Sequence, residues 1–387
     1  MFNRVALFLV LSLAAAAVAV SASSTAQSAS KEQTAGRGMI VGFYDDEQVF
    51  GRTDWAFTQL KSLRAGIVRI TIDWANVAKR RPADASDPAD PAYQWSAIDN
   101  VVAKAAQNKM RILAVIYGTP RWAGTGKNRL PRRITDLRLF AFAAATRYSG
   151  TYNVAVDEGE PERLLPAVRF WLAWNEPNNP VFLKPQWKKV RGTWRPQSAY
   201  DYAKICSAIW AGVHSTGLAN EKVGCGVTGP RGNDAPTSSR ASTSPLVFLT
   251  WLRRAGLKRF DAYAHHPYYG HKLEKPTTVP KSTKAVTLGN INVLLRQLKR
   301  LYGSKRLWIT EYGYQTRPPD RFFGVSYTAQ AKYVHQAYAL ARKTRKIDMF
   351  VWFLIRDERR LSGWQSGVFT ASGRRKPAFR AFQTLKR

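Results

Sequence analysis

The chain has 387 residues, 45% of them hydrophobic, and sets 60 Lys and Arg against 26 Asp and Glu for a formal net charge of +34. That length holds one large barrel or two ordinary domains around a sizeable core. Such a charge draws polyanions to the surface, but no helix-turn-helix, zinc-finger or RNA-recognition signature accompanies it, which argues against dedicated nucleic-acid recognition.

Residues 1–29 read as a secretory signal peptide: one early positive charge, an almost wholly apolar run over 5–20, then small residues. At 1.5 Å per residue the run spans roughly 24 Å, short of the ~30 Å of a hydrocarbon layer, so cleavage rather than anchoring is expected. The cut would follow Ala22, Ala26 or Ala29. Residues 30–37 would then form a disordered leader, and 38–387 a secreted domain with no transmembrane span.

Strand signals recur at 39–44, 67–72, 110–117, 168–174, 223–227, 260–266, 306–312 and 347–354. Amphipathic helical patterns lie between them over 98–107, 137–148, 199–213, 291–301 and 328–342. Eight strands alternating with helices predict a single (β/α)8 barrel of the α/β class rather than two domains.

Two strand ends carry chemistry. The apolar run from Val168 stops at Trp174-Asn175-Glu176-Pro177-Asn178, where Pro177 is expected to hold Glu176 in extended geometry on a stiff platform. The run from Arg306 ends in Thr310-Glu311-Tyr312-Gly313. The two glutamates are 135 residues apart, three strand-helix units, which in an eight-stranded barrel puts them on facing sides of the mouth. Arg69 is a cation inside an apolar strand, a placement that is expensive unless it is paired. His266 and Tyr268 have period-2 spacing and should face one way, with His265 packed on the opposite face.

The pair of motifs resembles the acid/base and nucleophile motifs of clan A glycoside hydrolases, closest to families 39 and 5. This resemblance implies that Glu176 is the acid/base and Glu311 the nucleophile of a retaining glycosidase acting on a polysaccharide or oligosaccharide. It further implies that Asn175 bonds the sugar 2-hydroxyl, that Arg69 pairs with the nucleophile, and that His266 and Tyr268 line the site. Trp352, near the end of the eighth strand, resembles the tryptophan that floors the first sugar subsite. Trp122, within Thr119-Pro120-Arg121-Trp122-Ala123, resembles a loop of family 39 relatives. Residues 373–382 resemble the start of the last barrel helix, and no appended carbohydrate-binding module is expected.

At the ~5 Å separation of retaining enzymes, repulsion from a second carboxylate is expected to hold Glu176 protonated, by about 3 kcal/mol at an effective dielectric near 20. No cofactor or metal is called for, since His265, His266 and His271 lack ligand spacing. Cys206 and Cys225 are placed either to form a bridge or to remain two buried thiols. The expected partners are a carbohydrate substrate and, through charge, acidic wall polymers. Aromatic and basic residues in the loops at 119–133 and 178–196 hint at a cleft for a polymer. The competing reading is a secreted barrel that binds carbohydrate or polyanion without cleaving it.

Overall fold

The computed structural model describes residues 38–155 and 161–387; the signal peptide and leader expected over 1–37 lie outside the described residues. The strands are β1 (Ile40–Tyr44), β2 (Ile67–Asp73), β3 (Arg111–Tyr117), β4 (Phe170–Ala173), β5 (Lys188–Val190), β6 (Thr193–Arg195), β7 (Lys222–Thr228), β8 (Ala262–His265), β9 (Arg306–Tyr312) and β10 (Ile347–Phe353). Eight of them close a parallel barrel in the order β1-β10-β9-β8-β7-β4-β3-β2. The remaining two, β5 and β6, form an antiparallel hairpin that the sequence pattern did not announce. Among the described residues, no helix is long and apolar enough to cross a membrane.

Alternation along the strands makes two cores. On β2, Val68, Ile70 and Ile72 face the helices and join the large outer cluster. Ile67 faces the barrel axis, where it meets Leu113, Leu172, Trp308 and Met349. A strand apolar on both faces is what a barrel strand between axis and helices requires. Towards the carboxyl end of β2 the inward positions turn polar, with Arg69, Thr71 and Asp73. This gradient places the site at the carboxyl-terminal mouth.

The outer layer includes α1 (Asp46–Gly51), α2 (Thr53–Ser62), α3 (Trp74–Val77), α4 (Ser96–Gln107), α5 (Ile134–Arg147), α6 (Gln197–His214), α7 (Pro245–Arg254), α8 (Ile291–Tyr302), α9 (Tyr327–Lys343) and α10 (Pro377–Gln383). Helices α5 and α6 approach closely because Gly212 has no side chain; a Cβ there would stand 2.3 Å from the Arg138 carbonyl. Cys206 on α6 and Cys225 on β7 form a disulfide with 6.0 Å between Cα atoms, so the choice left open by spacing resolves to a bridge. At the start of α10, Lys376 is buried with its Nζ 2.7 Å from Asp357 and 2.8 Å from Thr316 Oγ1, while Pro377 occupies the first turn. Burial drives both partners towards neutrality, Asp357 up to about 6 and Lys376 down to about 8.

Candidate active site

The chain leaves β4 through a turn that aims Glu176 at the barrel axis. Trp174 has φ +69° and Glu176 φ +33°, both left-handed, so the extended geometry expected before Pro177 is not what forms. Such backbone costs about 1–3 kcal/mol per residue unless its surroundings enforce it. Here they do. Trp174 buries its ring against Tyr117 and donates Nε1–H to the Phe182 carbonyl at 2.8 Å. Buried Asn178 accepts from Gly229 N–H at 2.8 Å and donates to Thr243 O at 2.9 Å, fastening the loop.

Glu311 reaches the axis by a different device. The pairing of β9 with β10 slips between Ile309 and Tyr312, and both of those residues lie in the outer core. Two residues, Thr310 and Glu311, therefore occupy the inward place of one. A bulge of this kind re-aims side chains. It points the Thr310 hydroxyl and the Glu311 carboxylate at the same centre.

Arg69 occupies that centre. Its Nη1 donates to Glu311 Oε1 at 2.7 Å and to the Thr310 carbonyl at 2.9 Å, its Nη2 donates to Asn175 Oδ1 at 2.8 Å, and its guanidinium lies over the Tyr44 ring at 4.2 Å. Tyr268 donates its hydroxyl to Glu311 Oε2 at 3.1 Å. His266 stands between the two glutamates, with Nδ1 3.0 Å from Glu176 Oε1 and 3.6 Å from Glu311 Oε2. Its Nε2 faces the Thr310 hydroxyl at 3.0 Å and Arg69 Nη1 at 3.3 Å. Both protons of Arg69 Nη1 are already committed to Glu311 and the Thr310 carbonyl, so the tautomer follows from Nδ1, which faces two carboxylate oxygens: the proton of the neutral ring sits on Nδ1, directed at Glu176, and Nε2 accepts from the Thr310 hydroxyl. Burial keeps the ring neutral, pushing its pKa down to about 3. His265 points the other way, to Thr228 and the Val286 carbonyl.

The two carboxylates differ in surroundings. Burial raises the pKa of Glu176, and a 3.1 Å bond from Asn179 Nδ2 and the charge of Arg69 pull it partly back. Desolvation therefore replaces the expected repulsion from Glu311 as the main cause, because Arg69 compensates the Glu311 charge at contact distance. One ligand atom each from Glu176, His266 and Glu311 fall within 4.8 Å of one another. As a metal cage this set fits poorly, since Arg69 already brings a fixed positive charge to Glu311 and the His266 nitrogen facing the glutamates carries the proton. It suits proton transfer and nucleophilic attack.

Both glutamates open into a cavity of about 510 Å³ that Asn175, Tyr268, Phe353 and Trp364 also line. Rings of Tyr44, Phe353, Trp364 and Tyr268 follow one another at 5.3, 5.5 and 5.1 Å and form its aromatic wall. Trp352 is not part of it. On β10 the inward parity belongs to Met349 and Val351 and hence to Phe353, whereas Trp352 faces the helices, packs on Phe382 and bonds Ser366 O. Trp122 also lies elsewhere, bonded to the Ala78 carbonyl and packed edge-on against Trp74 beneath Arg81. Tyr312 and Tyr314 are buried, and Trp194 sits exposed on the β5–β6 hairpin. Sequence reasoning missed Tyr44, Asn179, Thr310 and Phe353; only Tyr44 and Phe353 carried a signal, as aromatic residues closing barrel strands.

No protein-family model and no curated protein matches the sequence. Among solved structures, a family 39 glycoside hydrolase from the gut symbiont Bacteroides cellulosilyticus WH2 aligns with TM-score 0.60 at 16% identity, over 90% of this chain and 63% of that one. The chain thus spans less than two thirds of that enzyme. A glucosidase from Croceicoccus marinus aligns with TM-score 0.60 at 15% identity, over 90% and 67%. The family 1 β-glucosidase from Thermotoga maritima gives 0.56 at 12%, over 91% and 98%. The fold of the described chain is the (β/α)8 barrel shared by these clan A glycosidases.

Proposed function

We propose that the protein is a secreted retaining glycoside hydrolase that cleaves O-glycosidic bonds of a polysaccharide or oligosaccharide by double displacement. The observation that carries this reading is the placing of Glu176 and Glu311 around His266, with carboxylate oxygens within 4.8 Å in one cavity at the barrel mouth. Retaining enzymes hold their carboxyl groups about 5–5.5 Å apart, whereas inverting ones need roughly 6.5–9.5 Å to admit a water.

Glu176, with its pKa raised by burial, donates its proton to the departing glycosidic oxygen while Glu311 attacks the anomeric carbon and forms a glycosyl ester. The Glu176 carboxylate then takes a proton from water, and the resulting nucleophile breaks the ester with a second inversion. Arg69 and Tyr268 orient the nucleophile, and Arg69 presents Asn175 to the sugar 2-hydroxyl. Secretion is supported by the Cys206–Cys225 bridge, a bond that persists in oxidising compartments.

Replacing Glu311 with Gly is expected to lower turnover by a factor on the order of 10⁴ or more, with azide restoring activity as a glycosyl azide. Proton NMR of the first wild-type product should show the starting anomeric configuration. Undiminished turnover in the variant rejects the nucleophile, and an inverted first product rejects double displacement.

A further inference from the structure

The catalytic cavity opens on two sides whose electrostatics differ. Along the mouths of β1 to β3 it continues into a cavity of about 760 Å³ reached past Tyr44 and Asn175. Charges there are balanced. Asp73 pairs with Lys127 at 2.5 Å, and Asp46 accepts from the Tyr44 hydroxyl and Thr71 N–H at 3.2 Å each. On the other side, over the loops after β4, β7 and β8, a larger cavity of about 1140 Å³ is lined by Arg231, Arg240 and Lys281, with Glu274 the one carboxylate among its lining residues. Glu274 accepts from the Gly270 N–H at 2.6 Å through Oε2, and its charge partly offsets the effect of burial on Arg231 without forming a salt bridge to it. None of the three cations forms a salt bridge among the described residues.

Arg231 is the built member of this group. It lines the catalytic cavity as well as the outer one. Gly270 leaves room for its guanidinium, because a Cβ at that position would stand 2.5 Å from Nη2. The chain reaches it directly from the acid: a Cβ on Gly229 would touch the Glu176 carboxyl at 3.0 Å, and Arg231 follows two residues later. An acid must lie beside the oxygen it protonates, so the side approached past Glu176, Asn179 and Arg231 receives the leaving group. The side approached past Asn175 and Tyr44 receives the glycone.

We propose that the cleft selects a polysaccharide bearing anionic substituents, carboxylates or sulfate esters, on the leaving-group side of the scissile bond, with Arg231 as the specificity-determining residue and Arg240 and Lys281 flanking it. This rests on the hydrolase reading above. Planar guanidinium matches both oxyanions in a bidentate way.

The test compares kcat/KM at 0.15 M salt on polymers paired by backbone, xylan with glucuronate-substituted xylan and galactan with sulfated galactan, and sizes and sequences the products by mass spectrometry. The chains are the wild type, Arg231→Gln, and Arg296→Gln, exposed in the middle of the outer helix α8. Expected are a wild-type preference for one acidic partner, a fall of tenfold or more in the acidic-to-neutral ratio in Arg231→Gln, a ratio within twofold of wild type in Arg296→Gln, and the anionic group on the leaving-group fragment. The preferred pair tells carboxylate from sulfate. Equal losses in the two variants, no loss in Arg231→Gln, or an anionic group confined to the glycone fragment overturns the proposal while leaving the hydrolase intact. If the wild type cleaves no polymer of either pair and no aryl glycoside, the hydrolase reading falls and this one with it.

Discussion

At Glu176, burial and hydrogen bonding act against each other, and the balance sets where an acid of this kind stops working. Burial favours the protonated form, and the Asn179 amide, donating at 3.1 Å, favours the carboxylate. An acid is lost as pH rises through its pKa, so Glu176 should define the alkaline limb of kcat/KM. Asn179→Ala removes a donor to the charged form. The limb is therefore expected to move to higher pH while the acidic limb stays in place, and a pH-rate profile on an aryl glycoside checks it. A downward shift would mean that Asn179 opposes ionisation. That the two glutamates would meet was legible because polar runs closing two apolar strands three strand-helix units apart fall on facing sides of a barrel mouth. Asn179 was not, since its role depends on the left-handed turn at Glu176 that brings residue 179 back over the carboxyl. Trp352 misled for a related reason. In Phe350-Val351-Trp352-Phe353 both faces are apolar or aromatic, so composition carries no parity, and only closure of the barrel tells which ring faces sugar.

The eight barrel strands were readable as elements because barrel strands are buried on both faces and stand out as short apolar runs between turn residues. What escaped is where their register breaks. The slip that turns Glu311 inward leaves no mark in Ile309-Thr310-Glu311-Tyr312, and the one in β7 shows only in Gly226, at φ +90° with Tyr263 where a Cβ would be. The β5–β6 hairpin escaped too, because Lys188-Lys189-Val190 and Thr193-Trp194-Arg195 are exposed, short and without clean alternation. Cysteine spacing left two states open, and the fold selects one by setting α6 level with β7. That link fastens the barrel beside the strand that delivers Glu176. Closing a 19-residue separation should stabilise the fold by about 3 kcal/mol, mainly by restricting the unfolded chain. The double variant Cys206→Ser, Cys225→Ser is expected to lose about that much in denaturant unfolding while remaining folded at room temperature. A loss below about 0.5 kcal/mol would mean that packing of α6 alone holds the two sulfurs in place.

At the scale of the whole molecule, part of the excess of cations is organised by the fold. In a barrel of this type each helix runs antiparallel to the strands, so helix carboxyl ends gather at the face opposite the catalytic mouth. Basic residues close α4, α5, α7, α8 and α9, among them Lys104, Arg147, Arg253, Arg254, Lys299, Arg300, Arg342 and Lys343. There they also complement the negative ends of the helix dipoles. An acidic polymer drawn by this charge would therefore meet the base of the barrel, and the proposed hydrolase would keep its cleft free while tethered. Retention on dextran sulfate beads, an acidic matrix without a fitted glycone, should fall steeply between 0.05 and 0.5 M salt, as the Debye length shrinks to roughly 4 Å. Turnover of a small neutral aryl glycoside should continue on the beads at a rate within about twofold of that in solution, because tethering would engage charge and not the site. Joint replacement of Arg253, Arg254, Lys299 and Arg300 by Gln is expected to move release to lower salt without altering that turnover. If the beads silence the enzyme, or the fourfold variant elutes with the wild type, the polymer is engaging the cleft, and the cations that matter are those beside Glu176.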